Sequence, residues 1–170
     1  ITGNNITIEE VLRNELIVDE GDALNNILLK KSINNIRSLN IFEKVNSSIE
    51  DTAIKSEKII NIDVTEKATG EISAGAGAGT SGVSTIFGIN ENNFLGRGIK
   101  LNSNLSIGTE SVKGLFSVVN PNYNNSDNDL IFSVESSTLD RLKDYGYKSS
   151  RYGFSLGTTF EHLDDFYITP

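Results

Sequence analysis

The chain has 170 residues, 23 acidic and 15 basic, with a formal charge of −8 and no Cys, Met or Trp. This excludes disulfide scaffolds, thiolate metal sites and cysteine nucleophiles, and it argues against a nucleic-acid partner, which needs a clustered basic footprint. An apolar content of 37% beside 22% charged residues is too hydrophobic for wholesale disorder, and no run approaches the length of a membrane-spanning helix.

A composition break falls near residue 70. Residues 1–69 hold only Gly3 and Gly21 of the 15 glycines, and Phe42 is their one aromatic residue. Charge does not change across the break, since 12 acidic and 8 basic residues precede it and 11 and 7 follow, leaving −4 on each side. A shift in Gly and aromatic content at constant charge marks a change of architecture, so two domains are expected, 1–69 and 70–170. The opening at Ile1, without Met or a charged leader, is expected of a piece of something longer.

The first domain reads as a small α+β unit. Thr7-Ile8-Glu9-Glu10 fits a capping box, with Ile6 and Val11 at the positions of a hydrophobic staple. Ile8, Val11, Leu12 and Leu16 continue at helical spacing, which predicts a helix over about residues 8–17. Gly21-Asp22 breaks it and starts a second helix, about residues 22–39, with Leu28, Leu29, Ser32, Ile33, Ile36 and Leu39 on one stripe. The period then becomes two: Val45, Ser47 and Ile49 alternate with polar neighbours, as do Ile60, Ile62 and Val64. The predicted order is strand stub, helix, helix, strand, strand, with both helices on one sheet face.

The second domain is strand and turn throughout. Ile99, Leu101, Ser103, Leu105 and Ile107 alternate with Lys100, Asn102, Asn104, Ser106 and Gly108; Tyr152, Phe154, Leu156, Thr158 and Phe160 alternate with Gly, Ser, Thr and Glu. Leu130, Phe132 and Val134 repeat the pattern, whereas residues 83–90 break it at Ile86. Turn chemistry separates the runs at Thr80-Ser81-Gly82, Gly96-Arg97-Gly98, Thr109-Glu110-Ser111, Asn124 to Asn128 and Lys143 to Gly146. Up-and-down strands of about ten residues, apolar on one face and Gly, Ser, Asn and charge on the other, are the pattern of an outer-membrane β-barrel wall. A soluble β-sandwich uses the same alternation but shorter strands. A soluble Asn/Gly-rich adhesion or binding module is a further alternative, although no fixed repeat appears.

Enzyme chemistry finds no foothold, and no cofactor or metal is expected. His162 is the only histidine; Glu161, Asp164 and Asp165 beside it read as solvation more readily than as a cation site. No Gly-x-Ser-x-Gly elbow appears, and the glycines at 75, 77 and 79 precede no helix that would make a phosphate cradle. The segment Glu71, Ile72, Ser73, Ala74, Gly75, Ala76, Gly77, Ala78, Gly79 carries little side-chain surface. Such a strand leaves its backbone available for pairing with a foreign strand, or else its small residues fit a crowded, curved wall. Phe94 and Leu95 read as an interfacial turn, with Phe94 an aromatic anchor at the membrane rim and Gly96 and Gly98 supplying positive φ. Without Trp, any aromatic girdle must be Tyr and Phe, with Tyr123, Tyr145, Tyr147 and Tyr152 as candidates.

These motifs together resemble one family. Ile1-Thr2-Gly3-Asn4, Leu12-Arg13-Asn14-Glu15, Glu20-Gly21 and Leu39-Asn40-Ile41-Phe42-Glu43-Lys44-Val45 resemble the last POTRA domain of the outer-membrane protein assembly factors, a POTRA–β-barrel family. Gly75, Gly77 and Gly79 are similar to its opening barrel strand, Asn92-Asn93-Phe94-Leu95-Gly96-Arg97-Gly98 to the turn between its second and third strands, and Val118-Val119-Asn120-Pro121-Asn122-Tyr123 to the end of the fourth. The resemblance implies an α+β POTRA domain (β-α-α-β-β), its first strand cut short, followed by about six antiparallel up-and-down strands of a truncated outer-membrane β-barrel. The family's Arg-Gly-Phe/Tyr loop motif and last strand are absent from the chain. By that resemblance, residues 71–79 pair with client strands and residues 43–50 offer a second free edge to nascent outer-membrane proteins. Arg13 and Glu20 match the surface on which the family docks its assembly lipoproteins. The implied place is the bacterial outer membrane, with the POTRA domain in the periplasm and the barrel against lipid. A POTRA–barrel transporter that secretes a partner protein is the related alternative. An open sheet of this kind exposes two edges and a lipid-facing side, so the chain is also expected to self-associate or to need detergent.

Overall fold

The computed structural model describes residues 1–54, 57–79, 82–126, 128–163 and 166–169, with the backbone alone at 125, 161–163, 166 and 167. Two compact units emerge: Ile1–Thr69 with Asn92–Gly98, and Gly70–Glu91 with Ile99–Pro170. The short segment 92–98 therefore groups with the first unit, although the sequence order puts it inside the second domain.

The first unit contains α1 (Glu9–Arg13), α2 (Asn26–Ser38), β1 (Phe42–Asp51) and β2 (Lys58–Glu66). Strands β1 and β2 pair antiparallel, with Val45 opposite Val64 and Ser47 opposite Ile62. Thr2 lies parallel to β2, its amide donating to the Ile62 carbonyl at 2.9 Å and its carbonyl accepting from the Val64 amide at 3.0 Å. The order is thus strand stub, helix, helix, strand, strand. Helix α2 buries Leu29, Ser32, Ile33 and Ile36, the three-and-four spacing of one helical face. Leu29, Ile33 and Ile36 join Leu12, Ile41, Phe42, Val45, Ile62 and Val64 in the core.

Local details differ from the sequence pattern for identifiable reasons. Helix α1 ends at Arg13 because Glu15 and Leu16 donate to Leu12 and Arg13, one residue short of helical spacing, and the Ile17 amide goes to the Ser32 hydroxyl at 2.8 Å. The capping box does not form: Ile8 occupies the N-cap position without a side-chain bond, and Thr7 is turned inward. The staple fails with it, since Ile6 is exposed. Helix α2 starts at Asn26 rather than beside Gly21, because Asn25 caps it by accepting from the Ile27 and Leu28 amides.

The second unit contains β3 (Gly70–Gly79), β4 (Gly82–Phe94, its last residues in the first unit), β5 (Ile99–Gly108), β6 (Ser111–Asn120), β7 (Asp129–Arg141), a short α3 (Leu142–Tyr145), β8 (Tyr147–Leu163) and β9 (Phe166–Ile168). Consecutive strands pair in one antiparallel sheet ordered β3 to β9. Register sorts the side chains by face. Val118, Phe132 and Leu156 lie side by side on one face, as do Phe116, Val134 and Phe154; Ser117, Ser133 and Ser155 share the other. Ile86 falls on the polar face directly opposite Gly75.

Burial separates a membrane wall from a sandwich. Among the described residues every buried hydrophobic side chain falls between Leu12 and Val64, in the first unit. On the apolar face of the sheet Phe154 is 82% and Leu156 69% exposed. A soluble sandwich buries that face against a second sheet; here it is the outer surface.

Candidate functional site

Strand β3 ends the sheet. It pairs with β4 along its whole length, from Gly70 opposite Glu91 to Gly79 opposite Gly82, and its other edge has no strand among the described residues. All ten of its residues are exposed. Ile72, Ala74, Ala76 and Ala78 lie on the apolar face with Ile89, Phe87 and Val83, whereas Glu71, Ser73, Gly75 and Gly77 share the polar face with Asn90 and Ser84. A Cβ at Gly75 or Gly79 would meet nothing, and one at Gly77 only the Ser84 hydroxyl at 4.0 Å. Crowding within this chain does not explain the glycines. What they give the strand is a bare backbone with a weak hold on its own conformation.

On the first unit Arg13 and Glu20 come together. The Arg13 guanidinium reaches Glu20 at 3.0 Å and Glu9 at 2.7 Å, and hydrogen bonds to Glu20 and then Glu9 raise its already high pKa. The pair lines a groove of about 510 Å³ together with Leu16, Leu24, Leu29 and Ile60.

The turn 95–98 joins β4 to β5. Gly96 and Gly98 have φ of +70° and +65°, and Leu95, at +57°, is left-handed without being glycine. Phe94 and Leu95 are exposed. Asn93 before them is buried, as is Thr7. The Glu66 carboxylate accepts from the backbone amides of Asn5, Ile6 and Thr7, at 2.6 Å for Thr7. Burial pushes this carboxyl up, but the Thr7 hydroxyl and the three amides together hold it below its ordinary value. A carboxyl depressed in the folded state stabilises the fold above its unfolded pKa and loses that contribution as pH falls through the folded one. The first unit is therefore expected to weaken on acidification below about pH 4.5. Glu66→Gln should flatten that part of the profile in pH-dependent denaturant unfolding.

Residues 1–67 match the POTRA family, surface antigen variable number repeat, and residues 93–169 match the Omp85 superfamily domain. The structure of BamA from Haemophilus ducreyi lacking POTRA domains 1–3 superposes over 95% of this chain and 31% of its own, with a TM-score of 0.80 and 28% identity. This is a BamA-like POTRA–barrel chain. Outer membrane protein assembly factor BamA of Neisseria meningitidis serogroup B is 27% identical to it over 145 residues, which is 84% of this chain and 18% of that protein. CdiB from Acinetobacter baumannii shares the fold, with a TM-score of 0.55 at 19% identity over 90% of this chain and 31% of its own.

In the BamA-like chain, residues 71–79 form a contiguous terminal strand, and Arg13 and Glu20 form one ion pair. Leu95, Gly96 and Gly98 lie in one turn and Phe94 is the strand residue that enters it; all four group with the first unit. Thr7, Glu66 and Asn93 were not foreseen as a group. Asn93 carried the one available signal, a turn asparagine beside Gly96 and Gly98, but its partner lies 86 residues away. Glu161, His162, Asp164 and Asp165 fall outside the described side chains, and no metal-holding cluster occurs among the described residues.

Proposed function

We propose that the BamA-like chain belongs to an outer-membrane protein that folds and inserts other outer-membrane proteins, with β3 as the templating edge and the POTRA unit on the periplasmic side. The observation that carries this reading is β3 itself: a ten-residue strand, exposed throughout, with no strand on its other edge among the described residues, whose glycines at 75, 77 and 79 are not demanded by any neighbour in this chain. An incoming strand gains main-chain hydrogen bonds at such an edge without displacing packed side chains. No covalent chemistry is involved. The work lies in lowering the barrier to strand pairing for nascent outer-membrane proteins, in contact with outer-membrane lipid.

Photo-crosslinking from β3 in the longer protein distinguishes this from secretion of a single partner through a pore. Probes at Ser73 and Gly77 are expected to capture the terminal strands of several clients. Capture of one secreted protein, or of none, would favour the transporter reading.

The groove beside Arg13 and Glu20 is the proposed docking surface for an assembly lipoprotein. Glu20→Lys breaks the pair with Arg13 and sets like charges together. That reverses the charge the docking surface presents, so lipoprotein co-purification is expected to be lost. Unaltered co-purification would remove Glu20 from the interface.

A further inference from the structure

Asn93 is buried although it borders a turn, the class of segment that normally leaves its polar groups in water. Its side-chain amide donates to the Thr7 hydroxyl at 2.9 Å, and its side-chain oxygen accepts from the Gly98 amide at 2.8 Å. The Ile8 amide donates to the Gly96 carbonyl at 2.9 Å. Gly96, left-handed, passes so close to the Ile6 carbonyl that a Cβ there would collide with it. Behind this contact Glu66 holds the Thr7 amide at 2.6 Å. Buried polar groups persist only where they are satisfied, and a satisfied buried network selects one arrangement of the chain.

We infer that Asn93, acting through Thr7, is a positioning residue that anchors the turn between β4 and β5 as a fixed part of the POTRA unit. A turn needing only positive φ would use Gly96 and Gly98 and nothing more. It would require neither a buried asparagine nor a backbone approach that bars a Cβ at 96. The anchor puts the point where the chain leaves β4 and enters β5 under the control of the loop 3–8. Its role is conformational, since the groups that make it are turned inward and unavailable to a client.

Amide hydrogen exchange on the full chain in detergent micelles reads the anchor directly. The Gly98 and Ile8 amides are expected to be protected and to open together with each other, not with the amides of β5. Thr7→Val, which keeps shape and removes the hydroxyl that bonds Asn93 and Glu66, should speed exchange at Gly98 and Ile8 about tenfold or more, the order of effect of a lost buried hydrogen bond, and leave α2 unchanged. Thr7→Ser should restore protection. An unprotected Gly98, a Gly98 that opens with the amides of β5, or a Thr7→Val chain that matches the unaltered one would overturn the anchor. A second readout rests on the assembly reading: Thr7→Val in the longer protein should slow client assembly about tenfold, within the usual range of coupling, and Thr7→Ser should not. An unchanged rate with Thr7→Val, or equal slowing by both, overturns the positioning role. The exchange experiment needs no client, so a failure of the assembly reading is told apart from a failure of the anchor.

Discussion

Proline at Ala76 is expected to impair client assembly ten- to a hundredfold, and valine at the same position to leave it near normal. Ala76 sits in the middle of β3 opposite Thr85, with its side chain on the exposed apolar face. Valine there adds apolar surface and strand preference without touching the backbone. Proline removes a donor and fixes φ; a main-chain group left without its partner costs about 1–3 kcal/mol. Neighbouring residues in a strand aim their amides at opposite edges, so Ala76→Pro and Gly77→Pro form a matched pair. One breaks the ladder to β4 and the other the free edge. The templating reading requires the edge-facing substitution to stop assembly while the β3–β4 hairpin survives, as measured by client folding into proteoliposomes. Equal tolerance of proline and valine at both positions would defeat it, because recognition would then not run through the backbone.

How far the sequence reveals this molecule depends on the range of the interaction that decides each element. Strand alternation is set by neighbours two residues apart, so the apolar face of Leu101, Phe132 and Phe154 is readable directly, and the register then aligns it across strands. The α2 stripe is legible for the same reason. Thr7 shows the opposite case. A Thr followed three residues later by Glu satisfies the capping pattern, but Glu66, 59 residues away, takes the Thr7 amide and bonds its hydroxyl, and Asn93, 86 away, donates to the same hydroxyl. No local pattern contains that competition. Leu95 is similar: a leucine at positive φ is not read from composition, since only the turn around it forces the conformation. Of the candidate site, the bare strand β3 is visible in its Gly and Ala content. That crowding does not dictate those glycines became clear only from the space beside Gly75, Gly77 and Gly79.

The same split between near and far predicts a second large effect, in which a smaller deletion outweighs a bigger one. Ile36 is fully buried in α2 against the sheet of the first unit. Ile36→Ala leaves a cavity in a core of few side chains and should cost about 2–5 kcal/mol, a large share of the ~5–15 kcal/mol typical of a whole domain. Denaturant unfolding of the first unit is expected to shift accordingly, and groove docking with it. Phe154→Ala removes more atoms, but Phe154 projects from the apolar face of β8 and is 82% exposed. In detergent that face contacts hydrocarbon in both forms, so no internal cavity opens and the change should stay within about 0.5 kcal/mol, as for other surface substitutions. Were the sheet half of a water-soluble sandwich, Phe154 would lie in its core and its loss would cost about 3–5 kcal/mol. The order of the two substitutions, measured on one chain in one micelle, therefore decides between lipid-facing wall and soluble core. Phe154→Ala costing more than Ile36→Ala would reverse the assignment of the sheet's faces and remove the physical basis for a membrane role.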